Sequence, residues 1–156
     1  METESKFVPP VIDTLMHVFA TMLGEEPEAG TIRVKKDDIS KGHVTGMLKM
    51  EGDTTKGSVS ITFTKEVVID LVKRMLNMDI DEIDEVAKDM AGEMANIVVG
   101  GAKNLLEEQG HVISMSLPEV FDGEGHRIEH SFNGETIEIP FSIDAGEFFI
   151  EVNFKE

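Results

Sequence analysis

The sequence predicts one α+β domain in which helices pack on an antiparallel sheet. Apolar residues recur at helical spacing in three segments, and seven extended runs with β-strand character lie between and after them. A chain of 156 residues is long enough to bury one core and too short to divide comfortably into two. We therefore expect residues 1–156 to form a single domain, with residues 1–7 as a flexible N-terminus.

Charge and composition limit the classes of partner. The formal net charge is −17, from 14 basic and 31 acidic side chains, so the surface should repel both nucleic acid and an anionic membrane. A partner with a basic patch or a bound cation is favoured, although acidity that only keeps the protein soluble explains the charge equally well. The chain contains no cysteine, which excludes disulfides, thiolate zinc sites and cysteine nucleophiles.

Hydropathy predicts a cytoplasmic protein. The sequence contains no run of about 18 apolar residues, the length that a membrane-spanning helix needs. Residues 1–6 are polar and acidic, whereas a secretion signal has a basic region followed by an apolar one. We expect no membrane segment.

The first half of the chain predicts a helix followed by three strands. Pro9 and Pro10 open a segment with apolar residues at helical spacing, and Gly24 ends it. Three extended runs follow, at residues 31–35, 43–50 and 58–63. Because turn residues separate them, we expect an antiparallel meander.

The second half predicts two helices and then strands. Thr64 is placed to cap a helix over residues 65–77, and Gly110 stops a longer helix over residues 82–109. Further extended runs lie at residues 112–117, 127–132, 135–141 and 148–154. The pair Asn133-Gly134, favoured in type I′ turns, predicts a hairpin between the second and third of these runs. The resulting order, α-βββ-αα-ββββ, suggests two similar halves.

The long third helix carries a narrow polar stripe. At about 100° per residue, Glu93 lies about 40° to one side of Asp89 and Asn96 about 20° to the other side. Gly100 and Lys103 fall on the same side of the helix. Four apolar residues point the opposite way and should face the core: Ala87, Met94, Val98 and Leu105. The polar stripe must therefore face solvent or a partner.

Three glycines lie inside this helix, at positions 92, 100 and 101. Each costs about 0.5–1 kcal/mol relative to alanine in a helix interior, so something should offset the cost. One explanation is that the missing side chains let another surface approach Glu93 and Asn96. The other is close packing of the helix on a neighbour, or a kink, and the spacing alone does not separate the two.

Residues 89–102 have the sequence DMAGEMANIVVGGA, which favours a functional site over an ordinary solvent-exposed helix face. This string resembles the D/S-x₃-E-x₂-N helix of the CheC/CheX/FliY family of phosphatases, which dephosphorylate the response regulator CheY. The order of elements, with residues 7–10 entering the first helix, resembles the same family over most of the chain. Some members carry a second E-x₂-N on the first helix, but residues 13–16 here, DTLM, contain neither Glu nor Asn.

The resemblance implies one active centre in each chain and a division of labour with the regulator. Asn96 would position the attacking water, as a glutamine does in GTPases, and Glu93 would pair with a lysine of the regulator. Mg²⁺ would be held by the regulator, so this chain would need no cofactor or metal of its own. The resemblance also implies a homodimer with a sheet continued across subunits. The partner-binding residues would be Asp89, Gly92, Gly100 and Lys103.

Two other patterns in the sequence have residues typical of metal sites, and neither has the required spacing. His126, Glu129 and His130 match the letters of an inverted zinc-protease motif, but that chemistry needs both histidines on one helical face. In the predicted strand, residues four apart stand about 13 Å from each other, too far to share a zinc ion. Acidic residues 79–85 lack the spacing of a calcium loop and suit a helix start instead.

Two other functions stay open from the sequence. A non-catalytic adaptor would use the same helix to bind a response regulator without hydrolysing its phosphate. Small-ligand binding between sheet and helices is a weaker alternative.

Overall fold

The computed structural model describes residues 7–53, 56–130 and 134–155. Phe7 is fully buried, with its ring so close to Gly57 that a Cβ there would lie 2.8 Å from a ring carbon. The predicted flexibility is therefore wrong at position 7, because this aromatic ring is part of the core. The rest of that prediction, residues 1–6, lies outside the described residues.

Three helices are present in these ranges. The first, α1, spans Val8–Val18 and continues into a π-helical turn, Phe19–Leu23, that ends at Gly24 with φ of 66°. The second and third, α2 and α3, span Lys65–Leu76 and Glu85–Glu108. The predicted α+β class and the predicted helices are confirmed, with ends that differ by up to three residues. No helix in the described part of the chain is both long enough and apolar enough to cross a bilayer.

Within the described residues, one antiparallel sheet of eight strands underlies the helices. The strands are β1 (Glu28–Ala29), β2 (Arg33–Val34), β3 (Val44–Glu51), β4 (Lys56–Phe63), β5 (Ser114–Met115), β6 (Glu119–Asp122), β7 (Glu135–Ile143) and β8 (Gly146–Lys155). Their order is β1-β7-β8-β4-β3-β5, while β2 also pairs with β7 and β6 with β3. The four long strands form the centre, and the short ones line its two edges.

The pairing pattern repeats in the two halves of the chain. In each half, a helix is followed by two short strands and a long hairpin: α1, β1, β2, β3–β4, and then α3, β5, β6, β7–β8. The short strands of each half pair with the first long strand of the other half. The strands β4 and β8 meet at the centre, where Ile61 lies opposite Ile150. This exchange agrees with two similar halves, and α2 is an extra element between them.

Two predicted pairings are wrong. The run at 31–35 forms only the two-residue strand β2, which pairs with β7 and not with β3, so there is no three-stranded meander. Residues 127–130 form no strand and make one isolated bridge, Arg127 to Ile39. The partner of β7 in a tight hairpin is β8, which is joined to it across Asp144 and Ala145. Asn133 itself lies outside the described residues.

A polar layer explains why residues 126–130 alternate without pairing as a strand. They lie over the sheet face that points away from the helices, where Ile128 is buried and His130 Nδ1 lies 2.6 Å from Ser58 Oγ. On the same face, a buried ion pair of 2.6 Å joins Lys35 to Glu151. Residues 126–130 therefore alternate because one side of this segment packs on the sheet and the other faces solvent, and not because the segment is a strand of the sheet.

Candidate functional site

Small residues seat α3 closely on the sheet. A Cβ at Gly46 in β3 would lie 2.5 Å from the carbonyl oxygen of Ala91 and 2.9 Å from the Cβ of Ala95, so only glycine permits this approach. The helix is capped at its N-terminus by Asp84, whose carboxylate accepts a hydrogen bond of 3.0 Å from the backbone N–H of Ala87. The inner side of α3 is thereby fixed, and its outer side is held at a defined height above the sheet.

The outer side carries the polar stripe that the spacing predicted. Asp89 and Glu93 are exposed, and Asn96 is half-buried. On the inner side, Ala87, Met94 and Val98 are fully buried, whereas Leu105 is only half-buried. Neither Glu93 nor Asn96 has its polar end buried in the core of the protein.

The functional groups of the stripe are unpaired. Within the described ranges, the side chains of Asp89, Glu93 and Asn96 make no hydrogen bond or ion pair with another residue. Other charged side chains on α3 are engaged: Lys103 pairs with Glu107 at 2.9 Å. A carboxylate and an amide three residues apart on one helical face, both unengaged, are available to a common partner.

The three glycines of α3 differ in what they contact. A Cβ at Gly101 would lie 2.4 Å from Thr14 Cγ2 in α1, so this glycine serves close helix packing. Gly92 is buried, and a Cβ there would lie 3.1 Å from Val120 Cγ2, so its place in the helix is explained by packing within the chain. At Gly100 the nearest atom would be 3.8 Å away, an ordinary contact. Only Gly100 keeps free space for a partner.

Positive charge is missing from the stripe between Asp89 and Gly100. No Lys, Arg or His occurs between Asp89 and Ala102. The flanking Lys88 lies 3.5 Å from Glu85 and 3.7 Å from Asp122, and Lys103 is held by Glu107. Asn96 also lies on the outward side of the helix. The surface is thus unsuited to binding a free phosphate and suited to meeting another macromolecule.

The family is decided by the sequence match. The family model described as chemotaxis phosphatase CheX matches residues 44–142, which is more than half of the chain and includes α3. The chain belongs to the CheX family.

Relatives of this CheX-family chain cover nearly all of its length. The CheY-P phosphatase CheX of Thermotoga maritima is 27% identical over 148 residues, which are 94% of this chain and 93% of the relative. The crystal structure of the chemotaxis protein CheX from Vibrio vulnificus is 40% identical, with a TM-score of 0.88 over 97% of this chain and 100% of that one.

A third relative was crystallised as a complex. The CheX–CheY–BeF₃–Mg²⁺ complex from Borrelia burgdorferi has a TM-score of 0.78 at 24% identity, over 96% of this chain and 98% of that one. That likeness shows a shared fold.

The first helix of this CheX-family chain carries no second copy of the motif. At the positions of the E-x₂-N residues it has Asp13 and Met16, and Thr14 between them is buried against Gly101. The segment that would carry a second centre thus contributes a contact between α1 and α3.

The histidines of the rejected zinc motif are engaged in the polar layer under the sheet. His126 Nε2 lies 2.6 Å from Thr45 Oγ1, and His130 bonds both Ser58 and Glu151. No group of three or more potential metal ligands occurs among the described residues. Both histidines thus serve as hydrogen-bonding groups in this layer, and the segment that carries them is a covering loop and not the predicted strand.

Sequence reasoning missed the charged groups buried in this layer. Glu138 is 1% exposed, and one of its oxygens accepts hydrogen bonds from Arg33 at 2.5 Å and Lys41 at 2.9 Å. Burial alone would raise the pKa of Glu138, but the two cations together outweigh it and hold the pKa below its usual value. The only signal in the sequence was the carboxylate of Glu138 inside the alternating run 135–141. Such a residue is expected on the solvated face of a strand, so its position alone does not indicate burial.

Proposed function

We propose that this protein hydrolyses the aspartyl phosphate of a CheY-type response regulator. The observation that carries the proposal is the pair Glu93 and Asn96 on the outward face of α3, neither of which has a side-chain partner among the residues that the structure describes. Membership of the CheX family and the relative named CheY-P phosphatase support it. The roles proposed for the two residues are those that the family resemblance implies.

Asn96 is assigned to position the water. In the reaction, the water oxygen attacks phosphorus as the bond from phosphorus to the aspartyl oxygen breaks, which releases inorganic phosphate and a free carboxylate. The amide oxygen of Asn96 accepts a hydrogen bond from this water, and the amide N–H groups can bond to a phosphoryl oxygen. Half-burial of Asn96 reduces the number of conformations that it must give up to do so.

Glu93 is assigned to docking. It lies about one helical turn before Asn96 on the same face, so a lysine of the regulator that pairs with it would stand beside the acyl phosphate. That pairing would fix the register of α3 over the regulator. Asp89, one further turn towards the N-terminus, would extend the contact with the regulator. Gly100, at the other end of the stripe, would leave room for the regulator's surface.

The regulator must supply the positive charge. Because the face of α3 carries no cation between Asp89 and Ala102, it cannot neutralise the phosphoryl group by itself. We assign that role to the Mg²⁺ and lysine of the regulator, which this protein complements with an oriented water. An outward-facing helix can enter the regulator's own phosphorylation site, whereas a cleft could not.

The proposal is tested by the rate at which a phosphorylated CheY-type receiver domain of the source organism releases phosphate. We expect catalytic amounts of this protein to accelerate release. A non-catalytic adaptor would bind the phosphorylated regulator and leave the rate unchanged or lower it, and that result would reject the phosphatase assignment.

We also propose a homodimer formed through the sheet edges. The outermost strands are β1 and β2 at one edge and β5 and β6 at the other, and no described strand pairs with their outer sides, which are open to a strand of a second chain. Light scattering should give a mass of twice 17.2 kDa at micromolar concentration. A mass of one chain would contradict the dimer and leave the catalytic assignment standing.

A further inference from the structure

An apolar groove lies directly beside the proposed catalytic stripe. It is formed by the end of α2 and the first half of α3, has a volume of about 330 Å³, and is lined by Leu76, Met78, Val86, Asp89, Met90 and Glu93. Leu76 is 50% exposed and Met78 43% exposed, although both are large apolar side chains. Apolar surface left open next to a polar functional face commonly marks a contact with another protein.

The groove has a chemical pattern of its own. Four of its six lining residues are apolar, and the other two are Asp89 and Glu93, whose carboxylates make no ion pair or hydrogen bond with another described residue. Among the described residues, none that lines the groove is positively charged. An occupant that satisfies both parts presents an apolar side chain for the groove and a basic side chain for the rim.

We propose that this groove takes an apolar side chain of the response regulator, next to the basic residue that meets Glu93. The inference rests on the proposed function, because Glu93 belongs both to the groove and to the catalytic stripe. Two features favour this occupant: the carboxylate rim, which complements a basic surface, and the continuity of the groove with the face that meets the acyl phosphate. The groove would then contribute to affinity, while Asn96 carries the chemistry.

Variants of Leu76 separate these two contributions. Leu76→Ser removes an exposed apolar side chain at the end of α2 and leaves Glu93 and Asn96 themselves unchanged. Val112→Ser is the matched control, because Val112 is an apolar residue with 72% exposure beyond the far end of α3. The helix is 24 residues long, so about 36 Å separate its ends. Circular dichroism should show that both variants keep the fold.

Binding is measured with a CheY-type receiver domain of the source organism that has been loaded with beryllofluoride and Mg²⁺. We expect Leu76→Ser to weaken binding by about 5- to 30-fold and to raise KM for the phosphorylated regulator by a similar factor. The hydrolysis rate at saturation should stay within about twofold of the unsubstituted protein. Val112→Ser should alter neither quantity.

The outcomes distinguish the groove from the proposed function. Unchanged affinity in Leu76→Ser, with normal hydrolysis by the unsubstituted protein, overturns the groove assignment alone. Binding that depends on Leu76 without any hydrolysis supports the groove and rejects the phosphatase. If Leu76→Ser lowers the mass measured by light scattering instead of the affinity for the regulator, a second copy of this chain occupies the groove and the inference is wrong. Absence of regulator binding by the unsubstituted protein overturns both.

Discussion

Asn96 and Glu93 differ in burial, and the difference suits the roles that we propose for them. Asn96 is half-buried, which restricts its rotamers and favours the fixed geometry that a positioned water requires. Glu93 is exposed and can reach a partner while it keeps some freedom. Both side chains lack partners within the described residues, so neither must break a hydrogen bond before it engages the regulator.

The substitution Asn96→Ala should separate chemistry from docking. Alanine is the better helix former, and Asn96 makes no side-chain hydrogen bond in the described structure, so the free energy of unfolding should change by less than about 1 kcal/mol. Affinity for the beryllofluoride-loaded regulator should remain within about threefold. Denaturant unfolding and a titration measure the two quantities. Asn104→Ala is the matched control, since Asn104 is an exposed asparagine on the same helix.

The substitution Glu93→Gln should act mainly on docking. It removes the charge proposed to meet a lysine and keeps the size of the side chain, so affinity for the regulator should fall by about 5- to 50-fold at low salt. The difference from the unsubstituted protein should shrink as salt is added. Glu108→Gln, at the exposed end of α3, serves as the control. A loss in Glu93→Gln that is independent of salt would contradict the charge pairing.

At the level of elements, the glycines in and around α3 differ in function: some allow close packing of the helix, and one leaves open space. Gly46 and Gly101 permit close approach of the helix to β3 and α1, whereas Gly100 meets nothing closer than 3.8 Å. The sequence left packing and partner access as equal explanations for the glycines of this helix. The structure distinguishes the two explanations, because it shows which residues lie opposite Gly92 and Gly101. Those residues are distant in sequence and could not be identified from the helix alone.

The neighbouring glycines 100 and 101 provide a matched pair of substitutions. Gly100→Ala should stabilise the protein by about 0.5–1 kcal/mol, since it removes a helix-interior glycine and has the room to do so. Gly101→Ala should destabilise it by about 1–3 kcal/mol, because the new Cβ would lie 2.4 Å from Thr14 Cγ2. Denaturant midpoints measure both. Adding Thr14→Ser, which removes that methyl group, should restore part of the loss, and equal effects of the two substitutions would contradict this account.

Helices were predicted from the sequence more successfully than strand pairings. The apolar periodicity and end signals of α1, α2 and α3 are local, so the sequence carries them directly. Even so, Thr64 makes no capping hydrogen bond, and its hydroxyl donates to the carbonyl of Glu147 in β8. Pairing is not local: β2 could not be assigned to β7 before the exchange between the two halves was known.

For the molecule as a whole, the polar layer under the sheet links stability to pH. The pKa of Glu138 in the folded protein lies below the ordinary value of 4.5, because Arg33 and Lys41 outweigh the effect of burial. Its stabilising contribution is therefore fully present above about pH 4.5 and is lost as the pH falls through the lower folded-state value. Glu25, held by the Asp144 backbone N–H and by Arg74, also has a lowered pKa and acts in the same direction.

The substitution Glu138→Gln should lower the denaturant midpoint at pH 7 and flatten its decline in acid. At pH 7 the substitution leaves Arg33 and Lys41 without their carboxylate. Below the folded-state pKa of Glu138, the two proteins should converge, because the native side chain is then also neutral. Glu124→Gln, in an exposed turn, is the control. A constant difference between pH 7 and pH 3 would show that charge is not the cause.

At this scale the sequence predicted the fold class, the two similar halves and the polar face of α3. It did not predict the buried pair Lys35–Glu151, whose members are 116 residues apart, because nothing local distinguishes them from surface charges. The groove at Leu76 and Met78 was also invisible, since it exists only where α2 and α3 meet. The motif on α3 lay within one helix, and its spacing was therefore legible.

The most direct test of the catalytic assignment is a single-turnover measurement of regulator dephosphorylation. The protein is held in excess over the phosphorylated receiver domain and at a concentration well above the Kd of each variant, so that differences in affinity do not enter the rate. We expect Asn96→Ala to be slower than the unsubstituted protein by about 10²- to 10³-fold, the usual effect of losing one positioned hydrogen-bonding group in a transition state. Asn104→Ala should match the unsubstituted protein. Full activity in Asn96→Ala would contradict the assignment of water positioning to this residue.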